Sequence, residues 1–257
     1  MFDNLNSDAV ALVNNDDKHS IEMIANTKAK KHTYSLKTMS DFKCKILENR
    51  FDGMLLNINN YDLWTKLIGQ FNAYNVLAVY AVGILLETQE EKLLEGISML
   101  SSAEGRFQTV RNKEGVTAII DYAHTPDALE KVLQELKKYS RLKLVFGCGG
   151  DRDKGKRKEM AEIAELLADE VVITNDNPRN ESPEQIINDI ELGFKNKDVE
   201  VIPDRRQAIS TVISKADKGD CIVVAGKGHE SYQEIKGLKH SFSDQGVVRQ
   251  ALLEWAE

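Results

Sequence analysis

The chain has 257 residues, and its 41 acidic side chains outnumber its 34 lysines and arginines to give a net charge of -7. This balance gives no overall attraction for nucleic acid or an anionic membrane, and no apolar run approaches the roughly 20 residues that a membrane span needs. The three cysteines are odd in number and widely spaced, which argues against a disulfide framework or a zinc site. We therefore expect a cytoplasmic protein with no metal ligands of its own and no nucleic-acid or membrane partner.

The first seventy residues predict a strand and a helix followed by antiparallel strands. The apolar run 9–14 is typical of a strand, and Asp16 and Asp17 stand where the N-terminus of a helix is expected. Short alternating stretches between residues 32 and 68 indicate an antiparallel patch.

Two helices and a domain boundary are predicted next. The helices cover 72–86 and 90–100, and the first is so evenly apolar that we expect it to be buried on most sides. Periodicity then lapses over a small polar run, which is typical of a boundary between domains. The sequence therefore predicts one domain over 1–103 and a second over 104–257.

Beyond the boundary, strands rich in Val and Ile alternate with amphipathic helices. This alternation is typical of a mainly parallel sheet that helices cover on both faces, so we predict a Rossmann-like doubly wound α/β domain. The predicted strands cover 106–110, 116–121, 143–146, 170–174, 199–202 and 221–224, and the predicted helices begin at Pro126, Lys156, Pro183, Arg205 and Asp244.

Two of these helix starts carry capping residues. Thr125 supplies a hydroxyl cap before Pro126 at the first helical position. Ser182 and Pro183 repeat the arrangement, and Gln185 adds the spacing of a capping box.

The loop 150–157 nearly matches a phosphate-binding P-loop, but it ends in Arg157 where a P-loop has the Ser or Thr that holds magnesium. A dinucleotide-binding fingerprint also fails, because Arg152 stands at its third glycine. The loop is nevertheless basic and follows a predicted parallel strand, which indicates a local anion site. Its basic side chains are Arg152, Lys154, Lys156, Arg157 and Lys158.

Two further strand ends carry polar clusters, DNPR at 176–179 and GKGHE at 226–230. Arginine offers a planar fork that matches a carboxylate, and Glu230 offers a counter-charge for an ammonium group. Each turn alone could be an ordinary loop. Because all three turns would face one crevice, we predict that together they bind an amino acid by both ends.

These strings resemble the Mur ligase family. The resemblance is carried by DYAHTPDAL at 121–129, by FGCGGDRDKGKR at 146–157 and by the DNPR and GKGHE strings. It extends to GQFNAYN at 69–75 and EGRF at 104–107, and so over nearly the whole chain. The resemblance implies that a Rossmann-like C-terminal domain is preceded by the truncated end of an α/β ATP-binding central domain.

The resemblance also implies roles for individual residues. The central domain and the start of the second would contact ATP, and His124 would lie near the reacting phosphate. The expected ATP contacts are Asn72, Asn75, Arg106 and Asp121. The expected contacts of the incoming amino acid are Arg152, Asp176, Asn177, Arg179, Gly226 and Glu230.

Within the family, a DNPR string accompanies members that add meso-diaminopimelate, so Asn177 and Arg179 carry the prediction of the substrate. Diaminopimelate has a distal carboxylate that lysine lacks, and a buried guanidinium without that partner would lie unpaired. The resemblance then implies that ATP and Mg²⁺ convert the D-Glu carboxylate of UDP-MurNAc-L-Ala-D-Glu to an acyl phosphate. The amine of diaminopimelate would attack it in this step of cytoplasmic peptidoglycan precursor synthesis.

The chain also departs from the family pattern. No GxxxxGK[S/T] string occurs, and neither does the N-terminal domain that holds the uridine nucleotide or the lysine that is carbamoylated to help hold magnesium. We therefore expect the chain to begin inside the central domain and to lack ligase activity alone. Its first part should expose a sheet edge and apolar surface, and the full-length enzyme should be a monomer.

Three alternatives remain open from the sequence. The chain could be a freestanding non-catalytic module that binds an amino acid or a nucleotide. It could instead be a lysine-adding Mur ligase, or a relative of folylpolyglutamate synthase that binds glutamate. Binding of diaminopimelate, lysine and glutamate would separate these possibilities.

Overall fold

The computed structural model describes residues 2–196 and 198–255, and the chain divides into two compact units, residues 1–101 and 102–257. Each unit has its own sheet and its own hydrophobic core. Among the described residues, none of the helices combines the length and the apolar composition that crossing a membrane requires.

The first unit is built on a five-stranded mixed sheet. Its strands are β1 (Val10–Asn14), β2 (Lys30–Ser35), β3 (Phe42–Arg50), β4 (Gly53–Ile58) and β5 (Tyr61–Thr65), and its helices are α1 (Ser20–Met23), α2 (Gln70–Leu85) and α3 (Glu90–Ser98). The strands follow one another in the order β1-β2-β3-β4-β5. The predicted antiparallel pairing is confirmed for β3, β4 and β5 but is wrong for β2, which pairs in parallel with both β1 and β3.

Helix α2 buries one face only, so the prediction that it is buried on most sides is wrong. Val76, Leu77 and Tyr80 lie in the core of the unit, whereas Val79 is 49% exposed and Val82 46% exposed. An evenly apolar composition therefore gave no information on which face packs. β1 forms an edge of the sheet, and these side chains add the exposed apolar surface that the sequence predicts for this part.

Asp16 does not cap a helix. Its carboxylate instead accepts hydrogen bonds from the Ser35 hydroxyl at 2.8 Å, the Leu36 amide at 2.8 Å and the Tyr74 hydroxyl at 2.8 Å. The helix that follows is a single turn, α1, which begins at Ser20. Asp16 therefore ties the turn after β2 and helix α2 to the end of β1.

The second unit has a six-stranded sheet with helices on both faces. Its strands are β6 (Gln108–Arg111), β7 (Thr117–Asp121), β8 (Leu142–Phe146), β9 (Glu170–Ile173), β10 (Glu200–Val201) and β11 (Cys221–Ala225), followed by a hairpin of β12 (Tyr232–Ile235) and β13 (Leu238–Ser241). Its helices are α4 (Pro126–Leu136), α5 (Gly155–Leu167), α6 (Pro183–Glu191), α7 (Arg205–Ser214) and α8 (Asp244–Glu254).

The strand order β10-β9-β8-β11-β7-β6 places β11 between β7 and β8, and every pairing except that of β6 is parallel. Alternate residues such as Ala118 and Ile120 pack with α7 and α8, while Ile119 is fully buried on the opposite face. The predicted Rossmann-like fold is confirmed. The carboxyl ends of β7, β8, β9 and β11 consequently lie along one edge of the sheet.

The predicted helix caps are present, with one difference. The Thr125 hydroxyl accepts a hydrogen bond from the Ala128 amide, and the Ser182 hydroxyl accepts one from the Gln185 amide. Gln185 does not complete a capping box: among the described residues, no hydrogen bond joins its side-chain oxygen to the Ser182 amide, and its Nε2 donates to Asp189 Oδ1 at 2.8 Å. The chain therefore starts both helices with a single side-chain cap.

Candidate functional site

The turns that follow β7, β8, β9 and β11 line one cavity of about 400 Å³. It is open to solvent, and its wall contains both acidic and basic side chains. All six residues predicted to bind an amino acid line it, and so does His124. The lining residues are Tyr122, His124, Thr125, Pro126, Gly149, Arg152, Asp153, Lys156, Glu159, Asp176, Asn177, Arg179, Gly226 and Glu230.

Asn177 and Glu230 are joined at the floor of the cavity by a buried lysine. The side-chain amide of Asn177 donates to Glu230 Oε2 at 2.7 Å. Lys227, which is fully buried, donates to the same oxygen and to Asn177 Oδ1, each at 2.8 Å. The turns after β9 and β11 are therefore tied together by a charged hydrogen-bond network.

Glu230 is held in its ionised form. Burial alone would raise the pKa of this carboxyl group, but hydrogen bonds from Lys227 and Asn177, together with the positive charges of Lys227 and Arg179, outweigh burial and lower it. Glu230 therefore presents a negative charge to the cavity at neutral pH.

Arg179 occupies a left-handed backbone conformation with φ at 52°. The hairpin holds this conformation: the Arg179 amide donates to the Glu234 carbonyl at 3.0 Å, and the Lys236 amide donates to the Arg179 carbonyl at 2.7 Å. The guanidinium donates from Nη1 to the Gly150 carbonyl at 2.7 Å, and its Nε lies 3.5 Å from Glu234 Oε2. The backbone strain is therefore compensated by contacts that direct the guanidinium across the cavity.

Gly226 and Asp176 meet in the wall of the cavity. Gly226 has φ at 117°, and a Cβ atom built there would lie 2.8 Å from Asp176 Oδ2. Among the described residues, that buried carboxylate oxygen has no hydrogen-bond partner. The positive φ and this close approach favour glycine at position 226, and Asp176 Oδ2 is a buried acceptor in the wall of the cavity.

The basic loop contributes fewer cations to the cavity than the sequence predicts. Arg152 and Lys156 line it, and Lys156 Nζ also donates to the His124 carbonyl at 2.8 Å. Arg157 is fully buried and pairs with Glu181 at 3.0 Å and Asp189 at 2.7 Å, so it is wrong to count it in an anion site. Arg157 also donates to the carbonyl of Gly149, which lines the cavity, so it supports the loop from behind and does not face a ligand.

His124 is exposed at the rim, with Nδ1 2.8 Å from the Tyr122 carbonyl and its ring centroid 4.5 Å from that of Tyr122. The guanidinium of Arg106 lies 4.7 Å from the centroid of the same tyrosine ring. Asp121 Oδ2 accepts a hydrogen bond from the Phe107 amide at 2.6 Å, and burial raises the pKa of Asp121. Arg106 and Asp121 do not line the cavity itself, and Arg106 reaches its edge through the ring of Tyr122, which does.

The remaining two predicted contacts, Asn72 and Asn75, lie in the first unit near the start of α2. Asn72 Nδ2 donates to the Ile68 carbonyl at 2.8 Å, and Asn75 Nδ2 donates to Asn72 Oδ1 at 3.2 Å. The two asparagines form a pair, with Asn75 exposed.

Three residues that the sequence did not single out support this site. Lys227 lies within GKGHE, and nothing in that string predicts that the lysine between the two glycines is buried. Glu234 belongs to the unpredicted hairpin. Arg205 is fully buried and donates from Nη2 to the Ala225 carbonyl at 3.0 Å and from Nη1 to the Asn175 carbonyl at 3.5 Å. Arg205 thus holds the residues that precede both binding turns.

The described residues contain no group of three His, Cys, Asp or Glu side chains arranged to hold a metal ion. The three cysteines are buried thiols, and burial raises the pKa of Cys148 to about 12. A thiol with so high a pKa is a packing group at neutral pH and not a nucleophile.

Two family models match the chain. The Mur ligase middle domain matches residues 1–83, and the Mur ligase glutamate ligase domain matches residues 105–228. The chain therefore carries the middle and glutamate ligase domains of the Mur ligases, and it belongs to the Mur ligase family.

The chain is similar to proteins named UDP-N-acetylmuramoyl-L-alanyl-D-glutamate--2,6-diaminopimelate ligase. It is 51% identical to the one from Phocaeicola vulgatus, over 96% of the chain and 53% of that protein. It is 48% identical to the one from Bacteroides thetaiotaomicron, over 97% of the chain and 53% of that protein. The chain thus spans about half the length of these curated relatives.

Solved structures give the same family at the level of the fold. A structure with the same ligase name is 38% identical with a TM-score of 0.69, covering 97% of this chain and 54% of that one. A folylpolyglutamate synthase from Thermotoga maritima is 20% identical with a TM-score of 0.63, covering 94% and 55%. The second likeness shows the fold alone.

Proposed function

We propose that this chain is the amino-acid-binding half of an ATP-dependent ligase that adds meso-diaminopimelate to UDP-MurNAc-L-Ala-D-Glu in the cytoplasm. The observation that carries the proposal is that Arg152, Arg179 and Glu230, from three separate turns, line one cavity. A cavity with cations and a carboxylate in its wall suits a small zwitterion.

The residues of the site divide by the charge that they offer a ligand. Arg179 and Arg152 would bind carboxylate groups, and Glu230 together with the free oxygen of Asp176 would bind an ammonium group. Asn177 would fix the position of Glu230 through the hydrogen bond between them. Gly226 would leave the room that a bound amino acid needs beside Asp176.

The preference for diaminopimelate over lysine would come from Arg179. Diaminopimelate carries a second carboxylate that can pair with the guanidinium, whereas lysine would leave the guanidinium half-buried without a new partner. The names of relatives at 48% and 51% identity support the same substrate.

The nucleotide side of the reaction involves a different set of residues. Arg106, Asp121, Asn72 and Asn75 would contact ATP, and His124 at the rim would contact the phosphate. ATP supplies the phosphoryl group that activates the acceptor carboxylate. Mg²⁺ would neutralise charge on the phosphoryl group during its transfer.

Isothermal titration of the 257-residue chain with meso-diaminopimelate, L-lysine and L-glutamate tests the proposal. We expect binding of diaminopimelate at least about tenfold tighter than that of lysine, since one charge-assisted hydrogen bond accounts for about that ratio. Tighter binding of lysine would overturn the assignment of diaminopimelate as the amino-acid substrate. Tighter binding of glutamate would favour a synthase of the folylpolyglutamate type.

A further inference from the structure

We propose that Lys227 is a positioning residue that fixes the direction of the Asn177 amide and keeps one oxygen of Glu230 available to the ammonium group of the ligand. The inference deepens the proposed function and rests on it. Lys227 does not line the cavity and is fully buried, so it would act through Asn177 and Glu230 and not by touching the ligand.

The direction of the Asn177 amide is set by two donors. Asn177 Oδ1 accepts from Lys227 Nζ at 2.8 Å and from the Glu234 backbone amide at 3.0 Å. If the amide were turned over, its NH₂ group would face both of these donors, and its oxygen would face the carboxylate of Glu230. Lys227 and the hairpin therefore require Nδ2 to donate to Glu230.

The two oxygens of Glu230 consequently have different roles. Oε2 accepts from Asn177 Nδ2 at 2.7 Å and from Lys227 Nζ at 2.8 Å. Among the hydrogen bonds of residues 2–196 and 198–255, none reaches Oε1. Because Glu230 lines the cavity, Oε1 is the acceptor that remains for a bound ammonium group.

The charges around Glu230 show what the loss of Lys227 would do. Lys227 and Arg179 lower the pKa of Glu230, whereas its burial raises that pKa. Other charged or titratable groups also surround Glu230. Those that line the cavity with it are Tyr122, His124, Arg152, Asp153, Lys156, Glu159 and Asp176. His229 lies in its own turn, and Glu234 and Tyr232 lie in the hairpin beside Asn177 and Lys227. Arg205 from α7 is paired with Asp244, and Asp244 and Glu230 both raise the pKa of Arg205 against its burial. Without Lys227, Glu230 loses a positive charge and a hydrogen bond that lower its pKa, whereas its burial, which raises that pKa, remains.

A rise in the pKa of Glu230 gives a specific pH dependence. Diaminopimelate keeps its charges between pH 5 and pH 8, so the ionisation of the site controls binding in that range. In the wild type Glu230 is ionised throughout. In a variant without the lysine, Glu230 takes up a proton as the pH falls, and the affinity falls with it.

The test compares Lys227→Met with Lys239→Met by isothermal titration with meso-diaminopimelate at pH 8, 7, 6 and 5. Lys239 is a matched control: its ammonium also lies over the Tyr232 ring, at 4.2 Å against 5.7 Å for Lys227, but on an exposed strand. For Lys227→Met we expect about tenfold weaker binding at pH 8 and a further loss towards pH 5. Lys239→Met should match the wild type in affinity and in pH dependence.

A ligand-free measurement accompanies the titration. The ¹³C chemical shift of the Glu230 carboxyl group, followed with pH, should give a higher pKa in Lys227→Met than in the wild type. If circular dichroism shows that Lys227→Met does not fold, Lys227→Gln, whose amide keeps a donor towards Asn177, is judged by the same criteria.

The outcomes separate the two proposals. If the wild type binds diaminopimelate and Lys227→Met has the same affinity and pH profile, the assignment of Lys227 is overturned and the proposed function stands. If the wild type binds none of the amino acids, both are overturned. An unchanged pKa of Glu230 in the variant also overturns the assignment of Lys227.

Discussion

The guanidinium of Arg205 donates to both carboxylate oxygens of Asp244, at 2.8 Å each, and neither side chain is exposed to solvent. Burial alone would lower the pKa of Arg205, but the charge and hydrogen bonds of Asp244 raise it, so the pair is ionised. The pair joins the start of α7 to the start of α8, and Arg205 also holds the Ala225 carbonyl. It thereby connects the packing of two helices to the turn that carries Glu230.

Removing one member of this pair should destabilise the second unit strongly. Asp244→Ala leaves an uncompensated buried guanidinium, and we expect the free energy of unfolding in urea to fall by about 3–5 kcal/mol. Asp127→Ala is the control, because Asp127 also lies in the first turn of a helix and pairs with Lys131 at 2.8 Å, but both side chains are exposed. The control should lose no more than about 1 kcal/mol. Equal losses would show that the burial of the Arg205 pair is energetically unimportant.

Arg179→Lys should reduce the discrimination between ligands. Lysine keeps the charge but loses the planar fork that pairs with a carboxylate. We expect diaminopimelate to bind about tenfold or more weakly while the binding of lysine changes little, as measured by isothermal titration. Arg206→Lys, at an exposed arginine that does not line the cavity, should leave both affinities unchanged. A parallel loss of both affinities would contradict a role in selecting the second carboxylate.

Gly226→Ala should weaken ligand binding by crowding Asp176, and Gly219→Ala should not. Both glycines have positive φ, 117° and 96°, so both substitutions incur backbone strain of about 1 kcal/mol. A Cβ at Gly219 meets nothing within 4 Å, whereas one at Gly226 lies 2.8 Å from Asp176 Oδ2. We expect only Gly226→Ala to weaken diaminopimelate binding, and to lower the melting temperature more than Gly219→Ala does. Similar effects of the two on binding would argue against crowding at Asp176.

Asp16 should make the stability of the first unit depend on pH in the acid range. Burial raises its pKa, but hydrogen bonds from Ser35, Tyr74, Leu36 and Thr38 outweigh burial and lower it to about 2. Because the folded pKa lies below the unfolded value of about 4, the stabilisation is complete above pH 4 and is lost as the pH falls towards 2.

Urea denaturation of wild type and Asp16→Asn between pH 5 and pH 2 measures this contribution. The wild type should be more stable than Asp16→Asn at pH 5, and the difference between their free energies of unfolding should shrink as the pH falls. Asp17→Asn, at the exposed neighbour that accepts from the His19 amide, is the control and should follow the wild type. A difference that is constant with pH would contradict the proposed hydrogen bonding of the charged form.

The strand and helix pattern of the second unit could be predicted because each element carries its own signal. Near-continuous Val and Ile in strands such as β11, and hydroxyl caps before proline at Thr125 and Ser182, depend only on local sequence. The convergence of the turns on one cavity also follows from a parallel sheet, since the carboxyl ends of its strands share an edge.

The hairpin and the buried polar residues could not be predicted in the same way. The turn of the hairpin is Lys236-Gly237, with φ at 49° and 77°, and it lacks the Asn-Gly or Asp-Gly pair that marks such turns. Arg157, Arg205 and Lys227 are charged residues in charged or polar strings, so only the fold shows that they are buried with partners. Whether β2 pairs in parallel depends on its neighbours β1 and β3, and the residues of β2 alone do not indicate it.

The central claim is that the turns after β8, β9 and β11 enclose one amino acid. Amide chemical-shift mapping of the ¹⁵N-labelled chain with meso-diaminopimelate tests this claim most directly. We predict saturable shifts grouped at residues 149–156, 176–180 and 226–230, with smaller ones in the hairpin at 232–236. Shifts confined to one of these turns, or centred on the separate cavity beside Arg206 and Phe242, would contradict the claim.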